Sequence, residues 1–216
     1  SRMFKVVNSR HQLGLGPIWA ELSFAGDVHS PRVAYDPDYV RTKILAVGAL
    51  DTMNDEARGS TYLVATLGVR PSEACALSHA RIHLTHDVPH ISIEPESRQL
   101  KNRHSQRTIP LSGLSLAVMT RFPQGFPRYQ REPDSYSALA NKCLASAKLR
   151  PTPEHTVYSL RHTFQDLLTD AEVPPRVDHD LMGHALGRIK YGKGASLEQK
   201  RRWVEKVAYD LPALPM

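Results

Sequence analysis

From residue 36 onward the apolar positions of this chain recur in two different periods, and the switches between them mark out its elements. Asp36-Pro37 offers a cap residue followed by proline at a first helical position, and Val40, Ile44, Val47 and Leu50 then recur at helical spacing. A second helix is expected over roughly 58–67, ending near Gly68, and Pro71 opens another helical turn after a short break. From Arg81 to Glu94 the pattern becomes alternation, with Ile82 and Leu84, a turn at Asp87-Val88-Pro89, then Ile91 and Ile93. Arg107-Thr108-Ile109 supplies a third short strand after a basic polar stretch. Helices return over 112–121 and 136–148, separated by a proline-rich loop from Phe122 to Pro133. Two more follow over 159–171 and 175–182, the second opened by Pro174-Pro175 and closed by Gly183. Ser196 opens the last helix, with Gln199 three residues on in capping-box position. The pattern predicts an α+β domain over 36–216, mostly helical with one small three-stranded antiparallel sheet. Residues 1–35 are punctuated by glycine and proline and read as an irregular lead-in.

Composition narrows the class without deciding it. A chain of 216 residues is one large domain or two small ones. Hydrophobic residues at 41% and charged residues at 23% are ordinary for a globular protein in water. Lys+Arg 28 against Asp+Glu 22 gives a net charge of +6, a modest lean towards a polyanion such as nucleic acid. Cys75 and Cys143 stand far apart with no C-x-x-C pair, which fits reduced thiols in a cytoplasmic protein. No apolar run approaches membrane-spanning length and no signal-peptide pattern is present, so no membrane partner is expected.

The chemistry-bearing residues fall in short separate motifs. Arg70 lies in Leu67-Gly68-Val69-Arg70-Pro71-Ser72-Glu73, and Arg161 in Tyr158-Ser159-Leu160-Arg161-His162-Thr163-Phe164. Leu181-Met182-Gly183-His184 and Tyr191-Gly192-Lys193-Gly194 follow. Two planar guanidinium groups can clamp the non-bridging oxygens of a phosphodiester and absorb the charge that builds on them. A tyrosine hydroxyl can attack phosphorus and form a covalent intermediate. Glu73, one helical turn beyond Arg70, can orient its guanidinium.

These motifs, in this order from Asp36 to Tyr191, resemble the catalytic domain of the tyrosine recombinase family, of the phage-integrase type. The resemblance implies an integrase-like catalytic core that cuts and rejoins double-stranded DNA through a 3′-phosphotyrosyl link, for integration or excision of a mobile element. It implies no metal and no other cofactor, since the phosphotyrosine conserves the bond energy. Arg70 and Arg161 match the family's two arginines, and His184 matches its histidine or tryptophan against the scissile phosphate. Lys101, in Leu100-Lys101-Asn102-Arg103, resembles the lysine that protonates the departing 5′ oxygen from the turn between the second and third strands. Tyr191 matches the nucleophile. Arg98, Arg103, Arg107, Arg188, Lys190 and Lys193 flank these motifs and are expected to touch DNA backbone.

Two departures stand out. Tyr158 occupies the place, three residues before the second arginine, where the family usually has histidine. A phenol can hydrogen-bond a phosphate oxygen, but its ordinary pKa of about 10 makes it a poor base near neutral pH. Tyr191 follows His184 by seven residues, a little less than the family's usual gap. His79, His83, His86 and His90 have metal-like spacing, yet the strand alternation around them would scatter their side chains, so no metal site is expected. Lys200-Arg201-Arg202 reads as a solvated helix face. The resemblance further implies attachment-site DNA and other protomers, in a tetrameric synapse on bacterial nucleoid DNA in the cytoplasm, as partners. It implies a missing N-terminal core-binding domain, so that this piece alone is monomeric and binds DNA weakly. The rival readings are a type IB topoisomerase, which shares the nucleophile type and the arginines, and a DNA binder that has lost the chemistry.

Overall fold

A computed structural model describes residues 7–12, 33–94, 106–184, 194–211 and 215. The chain divides into two compact units, Ser1–Pro31 and Arg32–Met216. In the first, residues 7–10 form a helical turn.

The capping signals act where the sequence puts them. Asp36 accepts a hydrogen bond from the Tyr39 amide at 2.9 Å and starts helix α1 (Pro37–Tyr39). That helix widens at once into a π-type segment over Val40–Ile44, closed by the Leu45 amide on the Val40 carbonyl at 2.8 Å. The helix ends there, and residues 45–50 are bends and turns instead of the further helical turns that the apolar spacing predicts. Val40, Ile44 and Leu50 are buried, but Val47 is 69% exposed.

Helix α2 (Asp55–Leu67) is capped by Asn54, which accepts from the Ala57 amide at 3.1 Å. It begins three residues earlier than the apolar spacing predicts, because the cap and not the stripe sets its start. It is the central element, packed by α3 (Pro71–Cys75), α4 (Gly113–Arg121), α5 (Pro133–Ser146) and α6 (Ser159–Asp170). Helix α5 starts at Pro133, which the sequence reading left in the preceding loop. Proline suits a first helical turn, where its missing N–H would have no partner anyway.

The sheet is antiparallel in the order β1 (Ile82–His83), β2 (His90–Ile93), β3 (Arg107–Pro110). Leu84, expected to continue the first strand, lies in the turn. Ile82 pairs with Ile91 and Ile91 with Ile109, so three isoleucines form one buried row across the sheet. Ile93 pairs with Arg107, so Arg107 continues the neighbouring row. Helix α7 (Pro175–Met182) and helix α8 (Leu197–Lys206) both pack on β3. Ser196 and Gln199 form the expected capping box at the start of α8. Lys200, expected on a solvated face, is instead buried, and its Nζ donates to the Thr108 carbonyl at 3.1 Å. The β3 backbone supplies an acceptor there, which makes a buried ammonium tolerable.

Candidate active site

The site grows from the two breaks that end α2 and α7. Helix α2 stops at Gly68, whose φ of 60° is left-handed. A Cβ there would run into the Phe164 ring and come within 3.1 Å of Met182 Sδ, so the position requires glycine twice over. The chain then presents Arg70 in extended conformation as the cap of α3, with Pro71 at the first helical position.

Glu73, at the third position of α3, turns back on Arg70. It accepts from the Arg70 amide at 2.9 Å and from Arg70 Nη1 at 2.6 Å. Arg107 approaches the same carboxylate from β3, donating through Nη2 to Oε2 at 2.8 Å and through Nη1 to Oε1 at 3.1 Å. Burial alone would raise the Glu73 pKa. The charges and hydrogen bonds of Arg107, then Arg70, outweigh it and bring the carboxyl down to about 2.

Helix α7 ends at Gly183, left-handed with φ 67°. The Gly183 and His184 amides both return to the His179 carbonyl, at 2.9 and 3.1 Å. This turn lifts His184 to the surface beside Arg161. Arg161, on the first turn of α6 and only 2% exposed, spans the two breaks. Its Nη1 donates to the Gly68 carbonyl. Its Nη2 donates to the Met182 carbonyl at 2.6 Å and reaches His184 Nε2 at 3.4 Å. Burial, followed by the charges of Arg107 and Arg70, lowers the Arg161 pKa to about 10, which leaves it a cation at neutral pH.

An arginine has no acceptor, so His184 Nε2 must offer a lone pair to Arg161, and the imidazole here is neutral. Burial first, then the charge of Arg161, depresses the His184 pKa. Tyr158 is 38% exposed one turn before Arg161, with its ring 5.2 Å from that of His162.

The structure thus brings Arg70, Glu73, Arg161 and His184 together, with Tyr158 at the surface next to them. Lys101, Arg98, Arg103, Tyr191, Arg188, Lys190 and Lys193 lie outside the described residues. Arg107 departs from its expected place on a DNA-facing surface. Its side chain is 2% exposed and committed to Glu73 and to the Leu181 carbonyl, 2.7 Å from Nε. The signal was available in the strand period: Arg107 shares its face with Ile109, which is fully buried. His83 and His90 stack across the β1–β2 pair at 4.5 Å between ring centroids. Among the described residues no group of three or more His, Cys, Asp or Glu is arranged to hold a metal ion. Among them, too, no helix is long and apolar enough to cross a membrane.

By sequence, no protein-family model and no curated protein matches the chain. Solved structures do match its fold. The integrase from mycobacterium phage Brujita aligns with a TM-score of 0.54 at 16% identity, over 74% of this chain and 55% of the integrase. The Tn1549 transposon integrase, solved in complex with transposon right end DNA, gives 0.54 at 16% identity, over 84% of this chain and 68% of that protein. The XerA recombinase gives 0.54 at 15% identity, over 93% of this chain and 68% of the recombinase. The fold is that of the integrase-type recombinases. The chain spans little more than half the length of the phage protein and about two thirds of the other two.

Proposed function

We propose that residues 36–216 form the catalytic part of a DNA strand-transferase of the tyrosine recombinase type, acting on double-stranded DNA in the bacterial cytoplasm. The observation that carries this reading is the convergence of Arg70, Arg161 and His184. Arg70, the cap of α3, is held by Glu73, and Arg161, in α6, by the Gly68 and Met182 carbonyls. Fixed donors of this kind stabilise charge as it develops on a phosphoryl group, without reorganising during the reaction.

In this reading the Tyr191 phenol oxygen attacks the scissile phosphorus. A Tyr191–phosphate bond forms, the bond to the 5′ oxygen breaks, and the phenol proton is released to solvent water. Lys101 donates a proton to the departing 5′ oxygen. Arg70, Arg161 and His184 bear on the non-bridging oxygens, and Tyr158 adds a hydrogen bond. The covalent link conserves the phosphodiester energy, so a 5′ hydroxyl from another strand reverses the step and rejoins DNA. Attachment-site DNA and further protomers assembled on it are the partners this chemistry requires.

The test is covalent trapping. The protein is incubated with nicked duplexes built from the DNA flanking its own gene, then denatured. The expected result is a protein–DNA adduct that is absent with Tyr191→Phe. A gel shift without any adduct would instead identify a DNA binder that has lost the chemistry.

A further inference from the structure

Arg107 is buried, and its side chain is committed to partners inside the protein. Its three donor atoms bind two parts of the site that come from distant stretches of sequence. Nη1 and Nη2 grip the two oxygens of Glu73, the carboxylate that also holds both the amide and the guanidinium of Arg70. Nε donates to the carbonyl of Leu181, in the last turn of α7, at 2.7 Å. Carbonyls in a final helical turn lack intrahelical partners, and a cation there also meets the negative end of the helix dipole. Arg161 caps the next carbonyl, that of Met182, at 2.6 Å.

Gly183 closes the arrangement. A Cβ at this position would lie 2.8 Å from Arg107 Nη1 and 3.1 Å from Cζ. The turn that presents His184 therefore rests against the guanidinium of Arg107 itself. Glu73 and Leu181 come from distant stretches of the chain, and the planar fork of one arginine spans them, beside the Gly68–Met182 link that Arg161 makes. A lysine would keep the charge but not the fork, since its ammonium is a single point donor on a flexible stem. Replacing the fork would release two things together, the Glu73–Arg70 unit and the His184 turn.

We infer that Arg107 is a positioning residue that sets the placement of Arg70 relative to His184 by clamping Glu73 and the end of α7 with one guanidinium. Its value for catalysis rests on the function proposed above; its structural action does not. A misplacement on the order of 1 Å at such a site costs roughly 100-fold in rate.

The experiment compares the unaltered chain with Arg107→Lys and Glu73→Gln, first without DNA. Amide hydrogen exchange is followed at Arg70, at Gly183 and His184, and at core positions of Asp55–Leu67 as an internal reference. Glu73→Gln is expected to speed exchange at Arg70 and leave His184 unchanged. Arg107→Lys is expected to speed all three site amides by about tenfold or more relative to the core, as loss of charged hydrogen bonds implies. Should the lysine variant fail to fold, the Glu73→Met/Arg107→Met pair is read at Gly183 and His184 alone, since it also removes the carboxylate that accepts from Arg70; the same acceleration there is expected. Acceleration equal to that of the core, or confined to Arg70, would overturn the inference. In the trapping assay Arg107→Lys is expected to bind DNA as before while the single-turnover rate of adduct formation falls roughly 100-fold. A gel shift without an adduct from the unaltered chain would refute the proposed reaction, and the exchange result would still decide the role of Arg107.

Discussion

Arg161 Nη2 lies 3.4 Å from His184 Nε2 while the same nitrogen donates to the carbonyl of Met182, two residues earlier in the chain. One guanidinium thus fixes both the turn that carries the histidine and the tautomer of its ring. The lone pair on Nε2 faces the arginine, and the N–H is left on Nδ1. Any anion entering between Arg70 and Arg161 would compete for that Arg161 donor and free Nε2, so substrate binding and His184 protonation are linked.

This arrangement predicts the direction of the His184 titration. Its pKa is depressed in the folded chain, by burial first and Arg161 second, so the fold favours the neutral ring. The unfolded chain titrates near pH 6.5. The associated stability is complete above that value and is lost as pH falls through the lower folded pKa. A proton NMR titration of the His184 ring should give a midpoint below about 6.5. A midpoint above it would show that Arg161 does not donate to Nε2. His90 is depressed in the same direction, so its ring signals must be resolved from those of His184.

Glu73 predicts the acid limit of the fold. Its carboxyl sits at about 2 against an unperturbed 4.5, with a side chain 1% exposed. A depressed carboxylate stabilises the native chain above the unfolded value, and that stability disappears as pH falls from about 4.5 towards 2. Glu73→Gln should remove this part of the acid dependence. It should also lower stability at pH 7 by about 3–5 kcal/mol, because buried charge is left unpaired. Urea unfolding at pH 7 and pH 3 measures both effects. An unchanged difference between the two pH values in the variant would place the acid-sensitive group elsewhere.

Gly68 predicts a coupled loss. Alanine there must hold a left-handed backbone and displace Phe164, and the Gly68 carbonyl is a partner of Arg161. Gly68→Ala should cost about 3 kcal/mol from backbone strain and overpacking together. Thermal unfolding reads the stability, and the Arg161 side-chain NMR signals read the site. A loss below about 1 kcal/mol would mean that Phe164 yields without cost.

The pattern of what was legible follows from which forces are local. Caps and breakers act through their own backbone, so Asp36, Gly68, Gly183 and Ser196 announce their helices in the sequence. The three-stranded sheet is readable from strand alternation, and the Arg70 and Arg161 motifs stand out through their resemblance to the recombinase family. Val47 is exposed because the helix ends at Ile44 and the chain turns through a left-handed Gly48, while the apolar spacing continues as if the helix ran on. Arg107 and Lys200 were read as surface charge because residue type favours the surface. Their burial depends on partners 34 and 92 residues away, Glu73 and Thr108. Those partners are not readable in the sequence, although the strand period already places Arg107 on the buried face of Ile109.

Tyr158 gives the sharpest separation of roles beside Arg161. It is 38% exposed on the turn leading into α6, so replacing its side chain should leave the fold intact. As a hydrogen-bond donor to a phosphate oxygen, it would be silent as a base. Tyr158→Phe should then lower the rate of adduct formation on the order of 100-fold, as loss of one positioned donor does, without moving the pH dependence. Tyr158→His places a group with a pKa near 6.5 at the same point, and should add a new rise in rate through that pH. Single-turnover trapping from pH 5 to 9 reads both. A pH profile that flattens in Tyr158→Phe would show instead that the phenol itself moves the proton.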